Sequence, residues 1–285
     1  MTQNGARPYR SVLYIPASRE RAMEKARELP ADAIIFDLED AVSPEEKPKA
    51  RGLLAEVLRR DDFGARARIV RVNGLDTPWG AEDLAAFADH PGVDAVLVPK
   101  VNSAADLDAV AARVKAPLWA MMETAKGCLN AAAIAAHGRL QGIVMGTNDL
   151  AKELGSRFRA DRLPLMAGLG AAVLAAKAEG KVIVDGVFNA FKDEAGLRAE
   201  CEQGRDMGFD GKTLIHPAQL DIANAAFAPS EAELALAHRQ IAAYEAARAA
   251  GQGVAVVDGR IVENLHIVTA NALIAKAGAI AAMAG

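Results

Sequence analysis

The chain has 285 residues, of which 52% are hydrophobic and 25% are charged, so it can bury a sizeable core. Its formal net charge is −4 and it contains no basic run, which argues against nucleic acid as a partner. The N-terminus has no apolar signal-peptide core, and we expect no apolar stretch long enough to span a membrane. The two cysteines, Cys128 and Cys201, have no metal-type spacing, which favours a reducing, cytoplasmic compartment.

Short apolar runs recur along most of the chain, separated by Ala-, Leu- and charge-rich segments typical of helices. The eight predicted strands are Ser11–Ile15, Ala33–Phe36, Arg68–Val72, Ala95–Val98, Leu118–Met122, Gly142–Met145, Val182–Val184 and Thr213–Ile215. Alternation of strand and helix predicts a parallel sheet, and eight such units predict an α/β fold of the (β/α)8 TIM-barrel type. The runs are continuously apolar, as expected of strands buried on both faces.

The pattern changes after the eighth run. The elements predicted there are a long helix over Glu231–Ala249, a hairpin turning at Asp258-Gly259, and a last helix from about Ile267 to Ala282. We therefore predict a barrel domain over residues 1–228 and a C-terminal extension over residues 229–285. The extension is either a lid over the barrel mouth or an oligomerisation arm.

Two carboxylates directly follow consecutive predicted strands. Glu123 ends the fifth strand, and Asp149 comes after the sixth strand and a small polar turn. Active sites of such barrels lie at the C-terminal ends of the strands, so the two side chains are expected at one rim. Carboxylate oxygens suit a hard divalent cation and leave positions open for substrate. The alternative is that Glu123 caps a helix and that Asp149 is a helix N-cap.

An arginine, Arg71, alternates with apolar residues in the third predicted strand and should point into the barrel mouth. There it can hold a carboxylate through two hydrogen bonds or stabilise a developing oxyanion. The alternative role is a salt bridge to Glu39 or Glu123. Further ionisable or polar groups at the predicted strand ends, some of which must neutralise one another, are Asp37, Glu39, Asp40, Asn73, Asp185 and His216.

Three lysine or arginine side chains allow other chemistry. Arg19 and Lys25 flank the start of the first predicted helix and can bind phosphate, although a solvated helix face explains them equally. Lys100 follows the fourth strand, where a lysine can form a Schiff base with a ketone. The neighbouring carboxylate pair instead favours metal stabilisation of an enolate, and we prefer that interpretation.

Seven ordered stretches at the predicted strand ends carry a family resemblance. They are RSVLYIPASRERAMEKA (10–26), IIFDLEDAVSPEEK (34–47), RVNGLDTPWG (71–80), VLVPKV (96–101), METAKG (122–127), GTNDLAKELG (146–155) and LIHPAQL (214–220). Together they resemble the citrate lyase β-subunit-like enzymes of the HpcH/HpaI aldolase superfamily, most of all its malyl-CoA lyases and (3S)-malyl-CoA thioesterases.

The resemblance implies a barrel enzyme that depends on Mg²⁺, or on Mn²⁺, and acts on the CoA thioester of a short hydroxy acid. By motif, Glu123 and Asp149 match the metal ligands, and Glu123 also borders the substrate. Arg71 matches a substrate-contacting arginine, with Glu39 beside it in the catalytic set. The residues matching the substrate or CoA contacts are Tyr14, Arg19 and Lys25.

The same resemblance extends to the C-terminal segment 258–266, which matches a lid that closes over a neighbouring subunit's site. It therefore implies a homo-oligomer, a trimer or a hexamer. Some family members have an Asp where this chain has Glu263, a change that keeps the carboxylate and adds one methylene. Glu263 is the expected acid or base of the lid.

We expect a lyase that cleaves the C–C bond of (S)-malyl-CoA-type thioesters to acetyl-CoA and glyoxylate or a related 2-oxo acid. The first alternative is hydrolysis of the same thioester to malate and CoA, with Glu263 activating a water. Two further alternatives are a citrate lyase β subunit that acts only within a larger complex, and a metal-free binding or regulatory barrel.

Overall fold

The computed structural model describes residues 7–284. The chain folds into two compact units, one over Tyr9–Phe227 and the other beginning at Ala228. The first unit contains the eight strands predicted from the sequence, and the second contains the C-terminal extension.

The first unit is a closed barrel of parallel strands in sequential order, in which β8 pairs with β1. The strands are β1 (Ser11–Pro16), β2 (Ala33–Asp37), β3 (Ala67–Arg71), β4 (Ala95–Val98), β5 (Leu118–Met122), β6 (Leu140–Met145), β7 (Val182–Asp185) and β8 (Gly211–Leu214). This arrangement confirms the predicted (β/α)8 fold, because strand–helix alternation with right-handed crossovers closes such a sheet on itself.

Helices follow the strands and surround the barrel. They are α1 (Glu20–Ala26), α2 (Lys47–Arg60), α3 (Gly80–Ala86), α4 (Ala104–Ala111), α5 (Ala125–Leu129), α6 (Ala131–Ala135), α7 (Thr147–Glu153), α8 (Met166–Ala178), α9 (Glu194–Met207) and α10 (Leu220–Phe227). The larger apolar cluster of the protein fills the layer between these helices and the outward faces of the strands. This layer explains why the strand sequences are apolar at both alternating positions.

The inward-facing residues form a second, separate apolar cluster inside the barrel. Its largest member is Trp119, which is fully buried and packs against the Tyr9 ring at 5.0 Å. Gly142 makes room for the indole, since a Cβ at that position would lie 2.6 Å from the Trp119 ring. The barrel interior is therefore filled with side chains, and only its ends can take a ligand.

The eighth strand begins two residues before its predicted start, at Gly211 instead of Thr213. The difference comes from Lys212, which is fully buried although charged. Its ammonium lies 3.1 Å from Asp185 and 2.6 Å from Glu200, so the charge is compensated inside the helix layer. A charged residue in a buried strand is not visible to hydropathy alone.

The C-terminal unit contains two helices and a hairpin, namely α11 (Glu231–Ala249), β9 (Ala255–Val257), β10 (Arg260–Val262) and α12 (Asn264–Ala284). Asp258 and Gly259 both have positive φ, as a tight two-residue hairpin turn requires. Ser230 caps α11 through a capping box with Glu233. A small core of Ala247, Ala255 and Val262 holds the hairpin on the helix.

The last helix, α12, begins three residues before its predicted start, and its residues up to Met283 are exposed or half-buried except for Ala270, which is buried. By length and composition, Asn264–Met283 is apolar enough to cross a membrane. The sequence expectation concerned uninterrupted apolar runs, and Asn271 and Lys276 interrupt this helix, which meets the criterion through its length and mean hydropathy. A single helix that meets this criterion does not by itself establish a membrane span.

Candidate active site

A cavity of about 290 Å³ opens at the C-terminal ends of the barrel strands. Its polar lining includes Tyr14, Asp37, Arg71, Glu123, Asn148 and Asp149. Strand alternation explains part of this set, because Ile35 and Ile69 point into the barrel and the residues two positions later, Asp37 and Arg71, do so at the rim. The structure thus brings together the residues that the sequence placed at several separate strand ends.

The strongest polar contact at the rim joins Arg71 to Asp37. The guanidinium donates from Nε to Asp37 Oδ1 at 2.7 Å and from Nη2 to Asp37 Oδ2 at 2.6 Å. The same carboxylate also accepts from the main-chain N–H groups of Glu39 and Ala41. Burial by itself lowers the pKa of Arg71, but the adjacent Asp37 charge raises it well above its ordinary value. Arg71 therefore stays cationic and fixed in direction.

Two further carboxylates share the remaining side of Arg71. Its Nη1 lies 2.7 Å from Glu39 Oε2 and 3.3 Å from Asp40 Oδ2. The sequence offered Glu39 or Glu123 as salt-bridge partners of Arg71, and the structure adds Asp37 and Asp40 and does not pair Arg71 with Glu123. Burial raises the pKa of Glu39 above its ordinary value, although Arg71 opposes that change.

The Glu123 carboxylate is 1% exposed and accepts a hydrogen bond of 2.7 Å from the main-chain N–H of Lys100. Burial, together with the negative charges of Glu39 and Asp149, raises the pKa of Glu123 to about 7. Thr124, and not Glu123, caps the following helix, since its hydroxyl accepts from Gly127 N–H. Glu123 is therefore a buried carboxylate with an incompletely compensated charge that faces a cavity.

Asp149 is half-buried in the first turn of α7, whose N-cap position is Gly146. Gly146 also leaves room for the Glu123 side chain, because a Cβ on Gly146 would lie 2.3 Å from the Glu123 Cβ. The alternative explanations of the two carboxylates as helix caps do not describe this geometry.

The donor set suits a hard divalent cation that keeps open positions. Within residues 7–284, no three His, Cys, Asp or Glu side chains form a cluster able to enclose a metal ion. Mg²⁺ commonly binds through one or two carboxylates and completes its octahedron with water or substrate oxygens. Glu123 and Asp149 are acidic side chains that line one cavity, and the pKa of Glu123 is raised mainly because burial removes its carboxylate from water. The residues present therefore fit Mg²⁺ or Mn²⁺.

Tyr14 lines the same cavity from β1. Its hydroxyl donates to the thioether of Met121 at 3.4 Å, and its ring lies 5.1 Å from the Arg71 guanidinium carbon. Burial raises the pKa of the phenol far above its ordinary value, so Tyr14 remains a neutral donor. A thioether is a weak acceptor, which leaves this O–H available to a ligand.

Several other predicted or considered residues lie outside the cavity lining, Glu39 among them. Arg19 and Lys25 are exposed at the two ends of α1. Lys100 is exposed over 59% of its side chain and its ammonium lies 3.5 Å from Glu39 Oε1. Glu263 belongs to the C-terminal unit, where it is exposed between β10 and α12.

One strand-end carboxylate turns away from the cavity. Asp185 at the end of β7 is fully buried and pairs with Arg162 at 2.6 Å as well as with Lys212. Its neighbour Val184 points into the barrel, so Asp185 points outward into the helix layer. Sequence reasoning did not single out Asn189, whose amide donates to Asn148 Oδ1 at 2.8 Å at the cavity edge.

A closed parallel barrel with ionisable side chains gathered at the C-terminal rim is the arrangement of a (β/α)8 enzyme. Residues 10–217 match the family model described as HpcH/HpaI aldolase/citrate lyase. The chain belongs to this family and is an enzyme.

Three relatives show how far the similarity extends. A (3S)-malyl-CoA thioesterase of Cereibacter sphaeroides is 71% identical over 278 residues, which cover 97% of each chain. An L-malyl-CoA/beta-methylmalyl-CoA lyase of the same species is 34% identical over 310 residues, again covering 97% of each chain. The crystal structure of the CitE protein of Mycobacterium tuberculosis in complex with magnesium, acetoacetate and coenzyme A matches with a TM-score of 0.81 at 32% identity, covering 96% of this chain and 99% of that one.

Proposed function

We propose that this enzyme hydrolyses (3S)-malyl-CoA, or a thioester of the same class, to malate and CoA with the help of Mg²⁺. The observation that carries the proposal is the 71% identity to a (3S)-malyl-CoA thioesterase along 97% of both chains. The lyase that we expected from the sequence is supported by a relative of only 34% identity. Thioester hydrolysis therefore replaces C–C cleavage as the first hypothesis.

Glu123 and Asp149 would hold the cation, and Mn²⁺ would suit the same oxygen ligands. When bound, the cation supplies Lewis-acid polarisation of a substrate oxygen and fixes its orientation. Arg71 is held by Asp37 and keeps part of its guanidinium at the cavity, where its positive charge stabilises the oxyanion formed at the thioester carbon. Glu39, on Arg71 Nη1, helps to hold that arginine.

Hydrolysis needs a base for water. We assign this role to Glu263, an exposed carboxylate without a protein hydrogen-bond partner among the described residues. Water oxygen bonds to the thioester carbon as its proton passes to Glu263, the C–S bond then breaks, and the proton goes to the sulfur of CoA. The C-terminal unit would act as the lid, and Tyr14, Arg19 and Lys25 would bind the substrate or its CoA part.

We also propose that the protein is a cytoplasmic homo-oligomer, a trimer or a hexamer. The C-terminal unit leaves large apolar side chains exposed, among them Ile261, Leu265 and Val268. Contiguous exposed apolar surface is typical of an interface. Both cysteines are free thiols, in keeping with a reducing compartment. The molar mass in solution, measured by light scattering, tests the oligomer.

The decisive experiment incubates the isolated protein with (S)-malyl-CoA and Mg²⁺ and measures free thiol, malate and glyoxylate. We expect thiol and malate in equal amounts and no glyoxylate. Glyoxylate with acetyl-CoA would restore the lyase hypothesis. No turnover of free CoA esters would favour a subunit that acts only in a larger complex.

A further inference from the structure

Lys100 has an unusual main-chain conformation. Its φ is +49°, and within residues 7–284 the other non-glycine residues with positive φ are Arg162 and Asp258. L-residues disfavour the left-handed region because the Cβ crowds the carbonyl oxygen, and Lys has no side-chain group that relieves this locally. Such a conformation persists where the surrounding structure requires it, and it occurs often at functional sites.

The structural consequence of this conformation is the direction of the Lys100 main-chain N–H. It donates to Glu123 Oε1 at 2.7 Å. The loop is fixed on its other side by Asn102, whose amide donates to the Lys100 carbonyl at 3.0 Å and accepts from the Thr124 hydroxyl at 2.7 Å. The segment after β4 is thus tied to the residue that directly follows Glu123, and the strained residue lies between these ties.

The second oxygen of Glu123 is oriented by the same contact. Oε2 lies on the side of Gly146, since a Cβ built on that glycine would be 2.6 Å from it. Gly146 begins the turn that leads to Asp149 in α7. Among the described residues no group donates a hydrogen bond to Glu123 Oε2. One oxygen of the carboxylate is therefore fixed by the protein, and the other faces Gly146, three residues before the second carboxylate.

We propose that Lys100 is a positioning residue for the cation site, because its left-handed main chain supplies the N–H that orients the Glu123 carboxylate toward Asp149. The inference rests on the proposed Mg²⁺-dependent function. The main chain of Lys100, and not its side chain, orients Glu123. The ammonium is largely exposed, and its 3.5 Å contact with Glu39 is screened by solvent. This role also accounts for Lys100 without Schiff-base chemistry.

The test compares substitutions that all remove the ammonium but differ in how well they adopt positive φ. Gly and Asn enter the left-handed region readily, Ala does so with difficulty, and the β-branched Val does so least. The variants are Lys100→Gly, Lys100→Asn, Lys100→Ala and Lys100→Val. Titration calorimetry with MgCl₂ measures the Mg²⁺ Kd of each, and circular dichroism checks that each is folded.

We expect Lys100→Gly and Lys100→Asn to bind Mg²⁺ like the wild type, and Lys100→Val to lose about 10- to 100-fold in affinity, the usual effect of removing a group that orients a metal ligand. Should the Val variant not fold, the comparison of Ala with Gly decides, with Ala weaker. Equal weakening in every variant would assign the effect to the ammonium and overturn the proposal, as would unchanged affinity in the folded Ala and Val variants. A wild-type protein that binds no Mg²⁺ would overturn this inference and the proposed cofactor together, whereas the other outcomes leave the cofactor standing.

Discussion

Asp37 and Arg71 are register partners on neighbouring strands of the barrel, and their side chains meet in a two-point pair with N···O distances of 2.7 and 2.6 Å. This pairing fixes a permanent positive charge at the rim cavity, and Glu39 and Asp40 lie on the remaining side of the guanidinium. A planar guanidinium is needed for two parallel hydrogen bonds, so the geometry depends on arginine itself.

We therefore expect Arg71→Lys to lower kcat by about 10²- to 10³-fold, because lysine keeps the charge but cannot hold Asp37 at two points while facing the oxyanion. The measurement is steady-state hydrolysis of malyl-CoA. Arg68→Lys is the matched control, since Arg68 lies on the same strand and pairs with Asp94 through two bonds of 3.1 Å near the strand's other end. Near-normal kcat in Arg71→Lys would make Arg71 a structural ion-pair partner.

Chelation with EDTA and the Asp149→Ala substitution should each abolish turnover. Asp149 is a rim residue in the first turn of α7 and contributes little to packing, so the variant should remain folded and lose Mg²⁺ binding. Glu153→Ala, in the last turn of the same helix, is the control and should bind Mg²⁺ normally. Full activity of Asp149→Ala in the presence of EDTA would contradict the metal assignment.

Mg²⁺ affinity should increase as the pH rises through about 7, the pKa to which burial and the Glu39 charge raise Glu123. The protonated carboxyl is a poor ligand, so the proton competes below that pH and the affinity levels off above it. Calorimetry across about one pH unit on either side gives the slope. Glu123→Gln should abolish binding at every pH, and a pH-independent wild-type affinity would contradict the raised pKa.

The same pKa predicts how metal-free stability changes with pH. The unfolded glutamate titrates near 4.5 and the folded one near 7, so the folded state holds more protons between these values. The contribution of Glu123 to the free energy of unfolding is therefore fully present below about 4.5 and is lost as the pH rises to about 7. Urea unfolding across this range should show a larger loss in the wild type than in Glu123→Gln, in which Glu39, whose pKa is also raised, remains.

Glu263→Gln should lower kcat by about 10²- to 10⁴-fold, the range for a lost general base, while Mg²⁺ affinity and molar mass stay unchanged. Glu245→Gln, on α11 of the same unit, is the control and should turn over normally. A variant with a changed mass and normal turnover per intact site would instead indicate an interface role. Unchanged kcat and unchanged mass together would remove Glu263 from the mechanism.

Lys212→Met should destabilise the fold by about 3–5 kcal/mol, because it leaves a buried carboxylate cluster short of one positive charge. Lys177→Met breaks an exposed ion pair with Asp210 and should cost about 1 kcal/mol or less. Chemical denaturation of both variants gives the comparison. Equal effects would mean that Arg162 alone compensates Asp185.

The barrel could be predicted from the sequence because its strands are short, continuous apolar runs at regular spacing. The start of β8 could not, since Lys212 resembles a loop residue until its partners Asp185 and Glu200 are known. Ion pairs of this kind join residues that are far apart in the chain, and a hydropathy pattern does not predict them. Asp185 illustrates the same limit. Its position at a strand end suggested that it belongs to the rim, but its partners Arg162 and Lys212 lie in the helix layer.

The candidate site was partly predictable. Glu123, Asp149 and Arg71 follow from their positions at strand ends, where alternation decides which side chains point inward. The partner of Arg71 is set by the register of β2 against β3, which places Asp37 rather than Glu123 beside it. The positive φ of Lys100 depends on tertiary contacts and has no glycine to signal it.

The side chains packed around Trp119 fill the barrel interior, so no ligand can pass along the barrel axis. Substrate and products must therefore enter and leave through the same opening at the rim. The malyl part would bind at the cation held by Glu123 and Asp149, and the bulky CoA part would lie closer to the solvent. Under the proposed function, malate is formed behind the departing thiol and can diffuse away only after CoA has cleared the opening. Release is thereby ordered by shape, so malate, the last product to leave, should compete with incoming thioester, whereas CoA should inhibit noncompetitively.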